Sequence, residues 1–182
     1  MTRNICLIGL PTSGKSIIGT QLYKYLNKDF INTNQLIQRK YSCPLHDIIN
    51  KQGSDKFLDI ESNIIKSLKP KNVVIATGGS VIYRQNTINY IKDWFNTDIY
   101  HLFISKDEFI KRISQLNDYG IIIPENQNLE QVYEHRIRLY NTFTDYIINA
   151  NNDINLDSFQ KPMYSTTSPL IYFTRSYRSP PL

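Results

Sequence analysis

Eight consecutive residues, Gly9-Leu10-Pro11-Thr12-Ser13-Gly14-Lys15-Ser16, place two glycines, a lysine and a hydroxyl at the spacing G-x-x-x-x-G-K-[ST]. That pattern does phosphate chemistry. Gly9 and Gly14 let the backbone curl so that successive N–H groups point inward at a phosphate. Lys15 reaches the β- and γ-phosphates of a nucleoside triphosphate as a charge and is the expected catalytic group, and the Ser16 hydroxyl ligates Mg²⁺. A helix starting at this point adds its dipole. The expected nucleotide contacts are therefore Gly9, Pro11, Thr12, Ser13, Gly14, Lys15, Ser16 and Ile17. Two large classes of phosphate-loop protein are excluded. A GTPase needs an Asn-Lys-x-Asp base reader after a strand, and Asn27-Lys28-Asp29 has neither that spacing nor that place. Transport and helicase ATPases end a strand on an acid, whereas the strand Val73–Ala76 runs into Thr77-Gly78-Gly79. A small-molecule or nucleotide kinase is left.

The elements that must position this loop follow from periodicity. Asn4 to Ile8 is a short apolar run before glycine and predicts a buried strand. Ile17, Ile18, Leu22, Tyr25 and Leu26 recur at helical spacing, so a helix runs from the loop to about Asn27. Phe30-Ile31 is a second strand. Helices are expected over 35–41, from Pro44, and over 54–68, then a strand over 73–76, a helix over 86–95, a strand over 99–104, helices over 107–114 and 129–143, and a last strand over 146–148. Strands alternating with helices predict an α/β fold with a parallel sheet. Residues 1–160 form one expected domain. Residues 161–182 hold four of the eight prolines, no acid and many Ser and Thr, and predict an extended or flexible tail through which a protein partner could bind.

Composition excludes several other functions. The 182 residues are 41% hydrophobic and 20% charged, ordinary for a soluble domain. No stretch reaches the ~18 apolar residues that span a bilayer, and the N-terminal apolar run leads into the glycine loop rather than a cleavage site, so a cytoplasmic protein is expected. Cys6 and Cys43 do not suggest a disulfide, and with His46, His101 and His135 they show no zinc-ligand spacing. The net charge is +5. Residues 1–46 alone supply it, with six basic residues and Asp29 as their one acid, which favours anionic ligands. No nucleic-acid motif accompanies the charge, so nucleic acid is not the expected partner.

Over about residues 3–150 the chain resembles the shikimate kinases. The resemblance rests on the strand and loop, Phe30-Ile31-Asn32-Thr33-Asn34, Gly53, Phe57, Glu61, Val74-Ile75-Ala76-Thr77-Gly78-Gly79, Arg112, Arg136 and Leu139-Tyr140. It implies a P-loop fold of the nucleoside-monophosphate-kinase type, a five-stranded parallel sheet with helices on both faces, and a lid. The implied ligands are ATP, Mg²⁺ and shikimate. By that resemblance Asn32 stands where an acid helps hold Mg²⁺, and Asn34 where an acid meets the acceptor hydroxyl as its base. Gly78, Gly79 and Arg136 border the acceptor, Arg136 as a carboxylate ligand, and Arg112 lies against adenine.

The departures cluster on the acceptor. The family's Asp-x-Asp is Asn32-Thr33-Asn34 here, and Gln35 and Gln38 replace the acids that commonly follow. Leu58 replaces an arginine that grips the shikimate carboxylate, Ser80 replaces a third glycine, and Tyr119 replaces the lid arginine. Asn34 cannot accept a proton, a loss typically worth about 10²–10⁴-fold. The expected function is ATP-dependent phosphoryl transfer to a small-molecule hydroxyl, weak or lost on shikimate. The alternatives are a non-catalytic nucleotide-binding protein acting through a partner, and a kinase for an acceptor without a carboxylate. Taken singly, Glu61 and Arg136 would also suit exposed helix positions, and Gly78-Gly79 a plain tight turn.

Overall fold

In the computed structural model, residues 3–116, 120–124 and 126–160 are described. Tyr119 and the expected tail, 161–182, lie outside them. The chain runs β1 (Asn4–Ile8), α1 (Lys15–Leu26), β2 (Asp29–Asn32), α2 (Thr33–Tyr41), α3 (Leu45–Gln52), α4 (Ser54–Ser67), β3 (Val73–Ala76), α5 (Gln85–Trp94), β4 (Thr97–Phe103), α6 (Lys106–Ser114), α7 (Leu129–Phe143) and β5 (Tyr146–Asn149). Each predicted element is present within about two residues. Two single 3₁₀ turns, Val81–Tyr83 and Leu156–Phe159, were not expected; they are too short to carry a period.

The five strands form one parallel sheet in the order β2-β3-β1-β4-β5. β1 lies in the middle and every one of its residues is buried, as a strand covered on both faces requires. Its Cys6 thiol is pushed up to about 12 by that burial, so it behaves as a small core residue. The main core joins β1, β3 and β4 to Leu22 of α1, Ile88 and Ile91 of α5, Phe109 of α6 and Tyr140 of α7. Phe159 stacks on Tyr100 at 4.9 Å and closes the far edge. A second cluster, Ile37, Ile48, Phe57, Leu58, Ile64 and Ile122, ties α2, α3 and α4 into an arm beside the sheet.

Local chemistry sets the helix ends. Asn128 and Gln131 exchange side-chain and backbone bonds at 2.9 Å each, a capping box that starts α7. Ser105 Oγ accepts from the Glu108 N–H and starts α6. Such caps contribute about 1 kcal/mol each. Asn27, in the left-handed region at φ 49°, ends α1. Because β1 connects to β2 on one side of the sheet and β4 lies on the other, a crevice opens at the carboxyl ends of the strands beside β1. Ligands of open α/β sheets bind there. The phosphate loop leaves β1 at that crevice, Asn32 ends β2 beside it, and Thr77 follows β3 into it.

Candidate active site

The phosphate loop is closed by its own lysine. Lys15 Nζ donates to Gly9 O at 2.9 Å, to Leu10 O at 2.7 Å and to Ser13 Oγ at 3.3 Å. Burial, and Arg136 beside it, lower its pKa to about 7, with Glu61 pulling the other way. The three oxygens the ammonium touches are neutral, so a phosphate would supply a full negative charge at hydrogen-bond distance. Gly9 must be glycine. Its φ is 148°, and a Cβ there would meet Leu102 O at 2.7 Å and Ser13 Oγ at 2.9 Å. Thr12 is held at φ 66°, a costly place for a β-branched residue. Arg112 clamps it, donating from Nη1 to Thr12 O at 3.0 Å. Its Nη2 reaches Ala150 O and Asn151 O, and its Nε the Glu108 carboxylate at 2.6 Å. Arg112 therefore joins α6 and the segment after β5 to the loop, on the side away from the acceptor.

At the end of β2, Asn32 does two jobs. Its Oδ1 accepts from the Gln35 N–H at 3.2 Å and caps α2, and its Nδ2 donates to Ser16 Oγ at 2.8 Å. Among the described residues, no group of three His, Cys, Asp or Glu is placed to hold a metal ion. A Mg²⁺ arriving with ATP would thus meet one hydroxyl and one amide from the chain. Such a set fits an ion held mainly by phosphate oxygens and water.

The loop opens onto a cavity of about 520 Å³. Lys15, Ser16 and Ile17 line one end. The lining also includes Asn34, Gln35 and Gln38 from α2, Gly78, Gly79 and Ser80 after β3, and Arg136 from α7. No carboxylate is among the described lining residues. Every expected site residue named above except Arg112 and the buried pair Gly9 and Ser13 borders this space, and those three lie within or against the loop that forms its floor.

The alternatives left open for three features resolve toward the site. Arg136 is no surface charge; it is 1% exposed. Its Nη2 donates to Ile122 O at 2.7 Å, its Nε to Tyr83 Oη at 3.0 Å, and its guanidinium lies 5.2 Å from the Tyr83 ring. Nη1 sits 3.3 Å from where a Cβ on Gly79 would stand, so the glycine clears the approach to it. Glu61 is also 1% exposed rather than a surface carboxylate. Ser80 Oγ donates to its Oε2 at 3.0 Å. Gly78 is more than a tight turn: a Cβ there would collide with Glu61 Oε1 and lie 2.8 Å from Asn34 Oδ1. The Glu61–Ser80 contact was missed from sequence, where Glu61 stood out only as a matching position and Ser80 only as a departure. The one available signal was that a hydroxyl and an acid both fell in matching segments.

Leu58 is a different case. It is 5% exposed and packs into the second cluster against Ile37, Phe57 and Ile64 rather than lining the cavity.

Comparison with known proteins agrees with this geometry. The shikimate kinase family model matches residues 11–165. The shikimate kinase of Clostridium botulinum (strain Loch Maree / Type A3) is 35% identical over 163 residues, 87% of this chain and 94% of that protein. That of Thermodesulfovibrio yellowstonii is 30% identical over 141 residues, 76% of this chain and 80% of that protein. Among solved structures, shikimate kinase from Aquifex aeolicus superposes with a TM-score of 0.69 at 26% identity, covering 82% of this chain and 88% of that one. The Acinetobacter baumannii enzyme, solved in complex with shikimate, shares the fold with a TM-score of 0.75 at 24% identity, covering 88% and 90%. With a family model covering most of its length, a sheet of the expected order and the phosphate loop at its switch point, the chain belongs to the shikimate kinase family.

Proposed function

We propose that the protein transfers the γ-phosphoryl group of ATP to a hydroxyl of a small molecule held in the cavity beside Lys15, and that shikimate itself is a poor acceptor. The family and the fold support ATP-dependent phosphoryl transfer. The observation that carries the finer reading is the contrast within the cavity: a complete phosphate loop shares it with amides, hydroxyls, His46 and one arginine, and with no carboxylate among the described residues. Lys15 and the loop N–H groups would bind the phosphates, and Ser16 would meet the Mg²⁺ that accompanies ATP, with Asn32 beside it contributing less than an acid would.

A carboxylate on the acceptor would find little. Arg136 already spends Nη2 and Nε inside the protein, and Leu58 offers no second cation. A bidentate grip is therefore lost. This favours an acceptor without a carboxylate over efficient use of shikimate. The same amide wall supports a second reading, a nucleotide-binding protein that no longer turns over. The test is calorimetry with ATP and Mg²⁺, then shikimate, paired with a coupled assay for ADP. ATP binding with weak shikimate binding and slow transfer is expected. Rapid shikimate turnover, or no ATP binding, would refute the proposal; ATP binding with no transfer to shikimate or to carboxylate-free polyols would leave the second reading standing instead.

A further inference from the structure

Three polar side chains, Ser80, Glu61 and Asn34, meet at the Gly78–Ser80 turn. Ser80 Oγ, in a residue that lines the cavity, donates to Glu61 Oε2 at 3.0 Å. Glu61 Oε1 and Asn34 Oδ1 are both buried and have no hydrogen-bond partner among the described residues. Both crowd the same point above Gly78. The Gly78 N–H is turned to Thr33 Oγ1 at 3.2 Å, so it reaches the carboxylate as a nearby dipole rather than as a bond. Two facing acceptor oxygens with no donor between them are costly to bury. That crowding raises the proton affinity of the Glu61 carboxylate, which rests ionised and accepts the Ser80 hydrogen bond.

We propose that Ser80 and Glu61 form a proton relay for the acceptor hydroxyl, with Ser80 at the cavity wall and Glu61 behind it, in place of an acid at position 34. The proposal rests on the reading of the cavity as a phosphoryl-transfer site. In the step, the acceptor oxygen bonds to the γ-phosphorus while the bond to the bridging oxygen of ADP breaks. The acceptor O–H proton passes to Ser80 Oγ, and the proton of Ser80 passes to Glu61 Oε2. ADP leaves with the electron pair of the broken bond, Ser80 ends as it began, and Glu61 ends protonated, its proton returning to solvent before the next cycle.

The surroundings suit a carboxylate that takes and returns a proton near neutrality. Burial pushes Glu61 up to about 7, against the Ser80 hydrogen bond, Arg136, the Gly78 backbone and Lys15, which all pull it down. From α1 it faces Lys15, and from α7 Arg136 and Tyr140. α2 contributes only the neutral Asn34. A base with a pKa close to the working pH is the efficient kind.

The experiment measures phosphoryl transfer from ATP to saturating shikimate as a function of pH, with ATP affinity by calorimetry on the same samples. In the unmodified protein the rate should fall on an acid limb near pH 7. Ser80→Ala should lower kcat about a hundredfold, the size of a general-base contribution, with ATP affinity unchanged, and Glu61→Gln should lower kcat by a similar factor and remove the limb. Asn34→Asp placed in the Ser80→Ala protein should recover about tenfold or more, because it puts a base at the wall directly. A merely structural role for Ser80 would not be rescued this way. If Glu61→Gln does not fold, Ser80→Ala and its rescue decide the matter. Transfer with an unmoved rate and limb in Ser80→Ala overturns the relay alone. ATP binding with no transfer either to shikimate or to carboxylate-free polyols in the unmodified protein overturns the functional reading and the relay with it.

Discussion

The two ends of the cavity have been treated differently. At the phosphate end each chemical group is tied down by hydrogen bonds: Lys15 and Arg112 to the loop backbone at Gly9, Leu10 and Thr12, and Asn32 to the Ser16 hydroxyl. The bonds join β1, α1, β2 and α6, so the loop is held by the core of the sheet. Around the rest of the cavity the described lining carries amides at Asn34, Gln35 and Gln38 and no carboxylate, and Leu58 packs into the second apolar cluster instead of lining the space. The lesson is that one fold can keep a phosphate site while its acceptor wall drifts, because different elements build the two.

The largest effect should come from reversing that drift. Leu58→Arg puts a cation into the second cluster and should lower stability by about 2–4 kcal/mol, read as a lower urea midpoint. Shikimate should recover part of the loss in the variant and none in the parent. An unchanged midpoint would mean that the arm is loosely packed. At the other end, Lys15→Ala should weaken ATP binding by about 1.5–3 kcal/mol, the value of a charged hydrogen bond; equal affinity would remove the loop from the account.

Lys15 also gives a pH dependence whose sign is fixed. Free, it is depressed to about 7, so above that pH it is mostly neutral. Bound phosphates restore its ordinary, higher value. ATP binding should therefore take up a proton between about pH 7 and 10, and affinity should weaken by up to about tenfold per pH unit in that window. Calorimetry in buffers of different ionisation enthalpy measures the uptake, and proton release would contradict it. A smaller change is expected from Asn32→Asp, which should strengthen the Mg²⁺ dependence of ATP binding by about three- to tenfold. No change there would show that position 32 does not meet the metal. The smallest is removal of residues 161–182. The described cavity-lining residues end at Arg136 and Phe159 packs into the core, so ATP affinity should stay within about twofold; a larger loss would assign the tail a place at the site.

Much of this was legible beforehand, and the boundary has a physical reason. The strand–loop–helix around Lys15 is local, so its spacing alone announces both structure and chemistry. The five parallel strands followed from apolar runs alternating with helical periods. The acceptor wall is assembled from α2, α4, the turn after β3 and α7, segments far apart in sequence, and no local pattern says which face of α4 is buried. Glu61 and Leu58 are three residues apart on that helix. One supports the cavity wall and the other fills the arm, a distinction only packing makes. The Ser80–Glu61 bond spans 19 positions and leaves no periodic trace.

The central claim is that an intact phosphate end serves an impaired acceptor end, and single-turnover transfer from bound ATP to saturating shikimate tests it most directly. The account predicts measurable 3-phosphoshikimate at a rate about 10²-fold or more below the ~1–100 s⁻¹ of ordinary kinases, with ATP bound throughout. A rate within that ordinary range would contradict it.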